Sequence, residues 1–123
     1  MAESLLVMLG GGLGSWLRFM VSRYGNPVWE HFPLGTFVAN ALSCLLLGFF
    51  VYLMLHKPIP WVRPLVLVGF CGGFSTFSTF SNENWHLLRN GQWNAFFGYA
   101  LGSLLTGWLM LWLGGKMAQW MSN

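Results

Sequence analysis

Between Gly69 and Ser81 the chain reads GFCGGFSTFSTFS, an uncharged run in which a Phe-Ser-Thr triplet repeats. Both repeated side-chain types are neutral ligands for an anion. A benzene ring is negative on its face and positive at its edge, so a ring presented edge-on is a weak anion ligand. Ser and Thr hydroxyls donate hydrogen bonds without carrying charge. Such a wall suits a small, hard anion that must exchange its water for something equally protonic. It also avoids the deep trap a lysine or arginine would create, and conduction requires binding weak enough to release the ion. Gly72-Gly73, at the head of the repeat, predicts a break in the helix. Irregular backbone at membrane depth frees carbonyls that something must satisfy, and carbonyl oxygens suit a hard cation such as Na⁺.

At about 100° per residue on an α-helix, Phe74, Phe77 and Phe80 form one stripe, with Ser75, Ser78 and Ser81 beside it. Strand pairing would need period two, which the repeat lacks. A plainer reading has the hydroxyls bonding back one turn to helix carbonyls while the rings face lipid or core. Against it, the repeat follows directly on the two glycines and ends at Ser81-Asn82-Glu83-Asn84, which carries an acid into the end of the span.

Two further polar residues stand in apolar surroundings. Asn40 lies in the second apolar run, and leaving its amide unpaired there costs roughly 2–7 kcal/mol. It therefore needs a partner: a neighbouring helix, water or a ligand. Arg18 lies near the end of the first apolar run. It either snorkels to the headgroups or lines an aqueous vestibule that attracts anions.

Such residues need a scaffold, and composition names its solvent. Of 123 residues 55% are hydrophobic and 7% charged, against about 25% charged in a typical soluble domain. With mean hydropathy +0.56, the bilayer is the natural medium. Four spans are expected, at about residues 4–23, 34–55, 64–88 and 93–116, each near the roughly 20 residues a hydrocarbon core requires. They form a single all-α transmembrane domain, because backbone groups in lipid must pair within their own segment. Trp29, Trp61, Trp85, Trp93 and Trp120 fall near the span ends, where amphipathic rings favour the interface. The start, Met1-Ala2-Glu3, has no basic flank of the secretory kind, so the first span reads as a retained helix. Gly10, Gly11, Gly12 and Gly14 lack the preceding strand and following Lys of a phosphate loop and predict close helix packing instead. Cys44 and Cys71 fall in mid-span, where free Cys acts as a small apolar filler.

An even number of spans places Lys57, Arg63 and Lys116 on one side and Arg23 and Arg89 on the other. That gives the positive-inside rule little to act on. Either copies insert both ways and pair antiparallel, or other features set a single orientation. The net charge of +3 is not gathered into a basic stripe, which argues against nucleic acid. The acids are Glu3, Glu30 and Glu83, and the histidines His31, His56 and His86 lie near span ends without metal-ligand spacing. No nucleophile, base and orienting group can be assembled, so no enzyme is expected.

GGGLGSWLR in the first span, FPLGTFVAN in the second and GFCGGFSTFSTFSNE in the third together resemble the prokaryotic fluoride channel family, along nearly the whole chain. The resemblance implies a multi-pass protein of the cell membrane. It implies an antiparallel homodimer with two fluoride pores, each lined by both subunits. Phe77 and Phe80 match the phenylalanines that hold fluoride edge-on, and Asn40 the pore asparagine. Ser78 and Thr79 match the polar track, Glu83 the acid near its end, and Tyr99 and Ser103 the pore-facing polar positions of the fourth span. Carbonyls at Gly72 and Ser75 match those that hold a central Na⁺, and Arg18 the arginine of the vestibule. The chain departs from the family pattern at Gly107, where a hydroxyl is often found beside Thr106, and at Ser43-Cys44 after Asn40. Two other classes compete. Small multidrug resistance transporters share four spans and length but use a membrane-embedded glutamate in the first helix, where this chain has only Glu3 at the mouth. A non-transporting accessory subunit is the third reading.

Overall fold

The computed structural model describes residues 1–123. Helix α1 spans Ala2–Gly25, with Glu3 in its first turn and Arg23 in its last, both favourable to the helix dipole. A short 3₁₀ turn, Asn26–Val28, leads to α2, Leu34–His56. The third span is built in pieces. A π-helical stretch, Arg63–Cys71, runs into α3, Gly72–Phe74, and after an interruption α4 covers Phe77–Arg89. Pro64 sits in the first turn of this span, where its missing N–H breaks no helix bond. Gly91, at φ 70°, makes the left-handed turn into α5, Trp93–Ser122.

Four helical segments, Ala2–Val28, Leu34–His56, Arg63–Arg89 and Trp93–Ser122, are long and apolar enough to cross a membrane. The fourth continues past the Lys116 expected from hydropathy to Ser122. Only 17 residues are buried, and 30 large apolar side chains are exposed, as suits a chain whose solvent is lipid. This is a multi-pass membrane protein.

The break in the third span lies elsewhere than the sequence suggested. Gly72 is helical, at φ −64° and ψ −34°, and Gly73 continues α3. The chain turns extended at Ser75 (φ −82°, ψ 156°) and Thr76 (φ −152°, ψ 121°). The glycines serve close approach instead. A Cβ on Gly73 would strike the Gly11 carbonyl oxygen, while one on Gly72 would meet nothing within 4 Å.

The same device joins the helices in two pairs. Along α1, a Cβ at Gly10 would land on the Leu65 carbonyl and one at Gly14 on the Phe70 carbonyl. Between α2 and α5 the fit is reciprocal: Gly48 lies against the Leu111 carbonyl, and Gly114 against the Leu45 carbonyl and the Phe49 amide. With no hydrophobic drive between helices in lipid, close backbone approach supplies the dispersion contact that holds them. Gly114→Val should therefore push α5 off α2 and destabilise the protein by about 1–3 kcal/mol, the scale of overpacking. Gly12→Ala, at an open position, should stay within about 0.5 kcal/mol of the parent. Equilibrium unfolding of both variants in detergent micelles checks the contrast.

Candidate functional site

The interruption at Ser75–Thr76 is where the polar residues of four spans converge. In an unbroken helix the amides of Thr76 and Phe77 would bond the carbonyls of Gly72 and Gly73, four residues back. Here the Thr76 N–H donates to Asn40 Oδ1 at 2.9 Å. The Gly73 carbonyl accepts from Arg18 Nε at 3.0 Å. Side chains of α2 and α1 thus stand in for one partner in each of two lost helix bonds. Arg18 also places a cation at the carbonyl end of a helix, where the dipole favours it.

Hydroxyls bond further backbone groups on either side of the break. The Cys71 carbonyl accepts from the Ser75 N–H at 3.0 Å, from Ser75 Oγ at 2.7 Å and from Ser43 Oγ at 3.0 Å. The last of these pins α2 to the third span through a buried serine. Thr76 caps α4, its hydroxyl oxygen accepting from the Thr79 N–H at 3.2 Å, as N-cap threonines do. The back-bonding expected of Ser and Thr in lipid is therefore present at Ser75, one turn after Cys71.

Beside the break lies a groove of about 500 Å³, lined by residues that include Asn40, Cys44, Ser75, Thr76, Phe77, Phe80 and Ser103. No charged side chain lines it. The Phe77 and Phe80 rings stand 6.2 Å apart, tilted by 39°. Phe77 is 81% exposed, so the isolated chain leaves one side of the groove unwalled. Ser103 Oγ is buried without a hydrogen-bond partner, an unspent polar group in the wall.

At one end the groove closes on a second cluster. Phe80 packs against Tyr99 at 5.1 Å between ring centroids. The fully buried Tyr99 donates its hydroxyl to Glu83 Oε2 at 2.7 Å, and the fully buried Thr36 donates to Glu83 Oε1 at 2.7 Å. Two short, charge-assisted bonds hold the carboxylate. Asn26 completes the set, its Oδ1 accepting from the Thr36 N–H at 3.0 Å. Beyond this cluster opens a vestibule of about 260 Å³, whose lining includes Glu83, Glu30, His31, His86 and Gln92.

The structure thus gathers Asn40, Phe77, Phe80, Ser103 and Ser75 at one groove, with Glu83 and Tyr99 bonded to each other at its end. Ser78 and Thr79 are not among the groove residues. Ser78 is exposed, with its hydroxyl 3.4 Å from that of Thr76, and Thr79 takes part through its backbone amide. Gly72 lies on an exposed, open face. Sequence reasoning did not single out Thr36, Ser43, Thr76 or Asn26 as site residues. A signal was available for two of them, because Thr36, Asn40 and Ser43 repeat at four and three residues and so share one face of α2.

Asn40→Leu should leave the Thr76 N–H unpaired and destabilise the protein by about 1–3 kcal/mol, the cost of an unsatisfied buried donor. Thermal unfolding, with amide hydrogen exchange read at Thr76, checks it. Tyr99→Phe removes a bond to a carboxylate and should cost about 1.5–3 kcal/mol, read by the same melting experiment.

Residues 5–115 match the family model described as CrcB-like protein, Camphor Resistance (CrcB). The chain is 43% identical to the fluoride-specific ion channel FluC of Phocaeicola vulgatus, over 97% of this chain and 100% of that one. It is 40% identical to the protein of that name from Chlorobium chlorochromatii, over 99% and 96% of the two chains. It is 43% identical to the one from Nitratidesulfovibrio vulgaris, over 93% and 94%. These matches run through every helix that builds the groove, and the chain belongs to the CrcB-like family.

Proposed function

We propose that this protein is a passive, fluoride-selective channel, and that two copies in antiparallel arrangement form its conducting unit. One observation carries the reading. The groove beside the helix break offers an amide, hydroxyls and two phenyl rings but no charged side chain, in a chain whose relatives are named fluoride-specific ion channels. Asn40 already spends its carbonyl oxygen on the Thr76 amide, which leaves its two N–H donors free for an ion. Ser103 brings a hydroxyl with no other partner. Phe77 and Phe80 supply ring edges. Together these replace lost hydration with many weak contacts, the balance that lets an ion enter and leave.

The half-open groove supports the dimer reading. A side chain as exposed as Phe77 would border lipid in a single chain, and lipid cannot wall an ion path. A second copy closes the path with protein. The near-even distribution of Lys and Arg between the two sides allows that copy to insert upside down.

The donor set at the break also fits a hard cation. Diversion of the Thr76 amide to Asn40 leaves the Gly72 carbonyl without its helical donor. Gly72 itself lies on an exposed face of the chain. The carbonyls of Gly72 and Ser75 are the groups that would hold a Na⁺ there, and its charge would offset the field of anions passing nearby. Arg18, bonded to the adjacent Gly73 carbonyl, holds that end of the helix in place from the other side. This reading makes Arg18 a positioning residue for the break.

Fluoride-electrode efflux from liposomes holding the purified protein tests the reading. Phe77→Ile and Phe80→Ile should each slow efflux about tenfold, the rate equivalent of roughly 1.4 kcal/mol of lost ring contact. Full selective efflux in both variants would overturn the ring-edge mechanism. Pairing is tested separately with tandem fusions. Two copies joined through one extra membrane-crossing helix should conduct, whereas a direct fusion, which forces a parallel pair, should not.

A further inference from the structure

A second cleft, of about 410 Å³, lies far from the groove, between the start of α1 and the start of the third span. Glu3, Ser4 and Val7 line it from α1, and Pro60, Arg63, Pro64 and Val68 from the other side. The two charged residues share one cleft yet do not reach each other, and neither side chain is held by another residue of the chain. A gap bordered by an acid and a base has room for a ligand carrying both opposite charges.

The apolar residues say which kind. Val7 follows Glu3 by one helical turn and Val68 follows Arg63 by little more than one, so each wall passes from charge to hydrocarbon along its helix. Val68 is 53% exposed, and Trp61, next to Pro60 in the chain and just before the third span, is 52% exposed; an indole at a span end favours the membrane interface. The charged end of the cleft therefore lies among headgroups and the apolar end among acyl chains.

We propose that this cleft binds a zwitterionic phospholipid with a primary amine, of the phosphatidylethanolamine type. Arg63 takes the phosphate, which its planar fork matches. Glu3 takes the ammonium, and Ser4 adds a neutral hydrogen-bonding group beside it. The acyl chains run along Val7 and Val68. Phosphatidylcholine fits less well because its quaternary ammonium has no N–H to donate to Glu3. Phosphatidylglycerol brings a net negative charge with no cation for Glu3. The site rests on neither the groove nor the conducted ion.

The test uses full-length, delipidated protein in detergent, titrated with short-chain phosphatidylethanolamine, phosphatidylcholine or phosphatidylglycerol while the unfolding midpoint is followed. Phosphatidylethanolamine should stabilise with an apparent Kd about fivefold tighter than the other two, the scale of one exposed charge-assisted pair. Glu3→Gln should abolish that preference, Glu3→Lys should turn it toward phosphatidylglycerol, and Arg63→Gln should weaken all three lipids. Fluoride efflux of the same variants, measured in parallel, separates this site from the pore. Equal affinity for the three headgroups, or a Glu3→Lys variant that keeps the original preference, would overturn the assignment. So would inorganic phosphate that stabilises the protein as well as the lipid does, since it would make the cleft a site for a soluble anion.

Discussion

Two missing rungs of helix hydrogen bonding organise this molecule. Where the third span turns extended at Ser75 and Thr76, a donor and an acceptor are left at membrane depth. Water cannot reach them freely, and each would cost several kcal/mol unpaired. Asn40 takes the donor and Arg18 takes the acceptor. Those two bonds tie α2 and α1 to the same point of the third span. Polar residues that look isolated along the chain therefore meet at one break in the backbone ladder.

The packing around that point follows from the solvent. Helices in lipid gain little by hiding apolar side chains from one another, so the chain uses glycine to bring backbones into contact. Gly10, Gly14 and Gly73 seat α1 against the third span, and Gly48 and Gly114 seat α2 against α5. The hydroxyl of Ser43 on the Cys71 carbonyl then crosses from one pair to the other. Large side chains are left to face outward, and the bundle remains thin enough that its groove is open on one side.

The groove and the carboxylate beyond it divide the chemistry. Uncharged polar side chains and two phenyl rings line the first. The only acid nearby, Glu83, is held by two hydroxyls behind the Phe80 and Tyr99 rings. In the proposed channel an anion in the groove would meet many weak ligands, while the carboxylate at its end has its own donors. A guanidinium in the same path would bind far more tightly and release far more slowly. Arg18 is directed to a backbone carbonyl instead.

Hydropathy and spacing alone determined that four helices cross a membrane, because apolar runs of this length have no other stable state in lipid. The Phe-Ser-Thr repeat likewise contains four of the residues that line the groove, Ser75, Thr76, Phe77 and Phe80. The location of the break was not legible. Gly72-Gly73 is the obvious weak point by propensity, yet both glycines stay helical because α1 approaches one of them closely. The helix opens two residues later, where Asn40 and Thr76 can satisfy the backbone. Nor could the run of hydroxyls show which of them face the groove. Ser75 and Thr76 are among the groove residues, while Ser78 is not, because the chain changes direction between Ser75 and Phe77 and a single helical wheel no longer applies. Partners separated by 36 and 55 residues in sequence, such as Thr76 with Asn40 and Gly73 with Arg18, meet only when the helices pack. Residue type set what each group could bond; tertiary structure decided which bond it made.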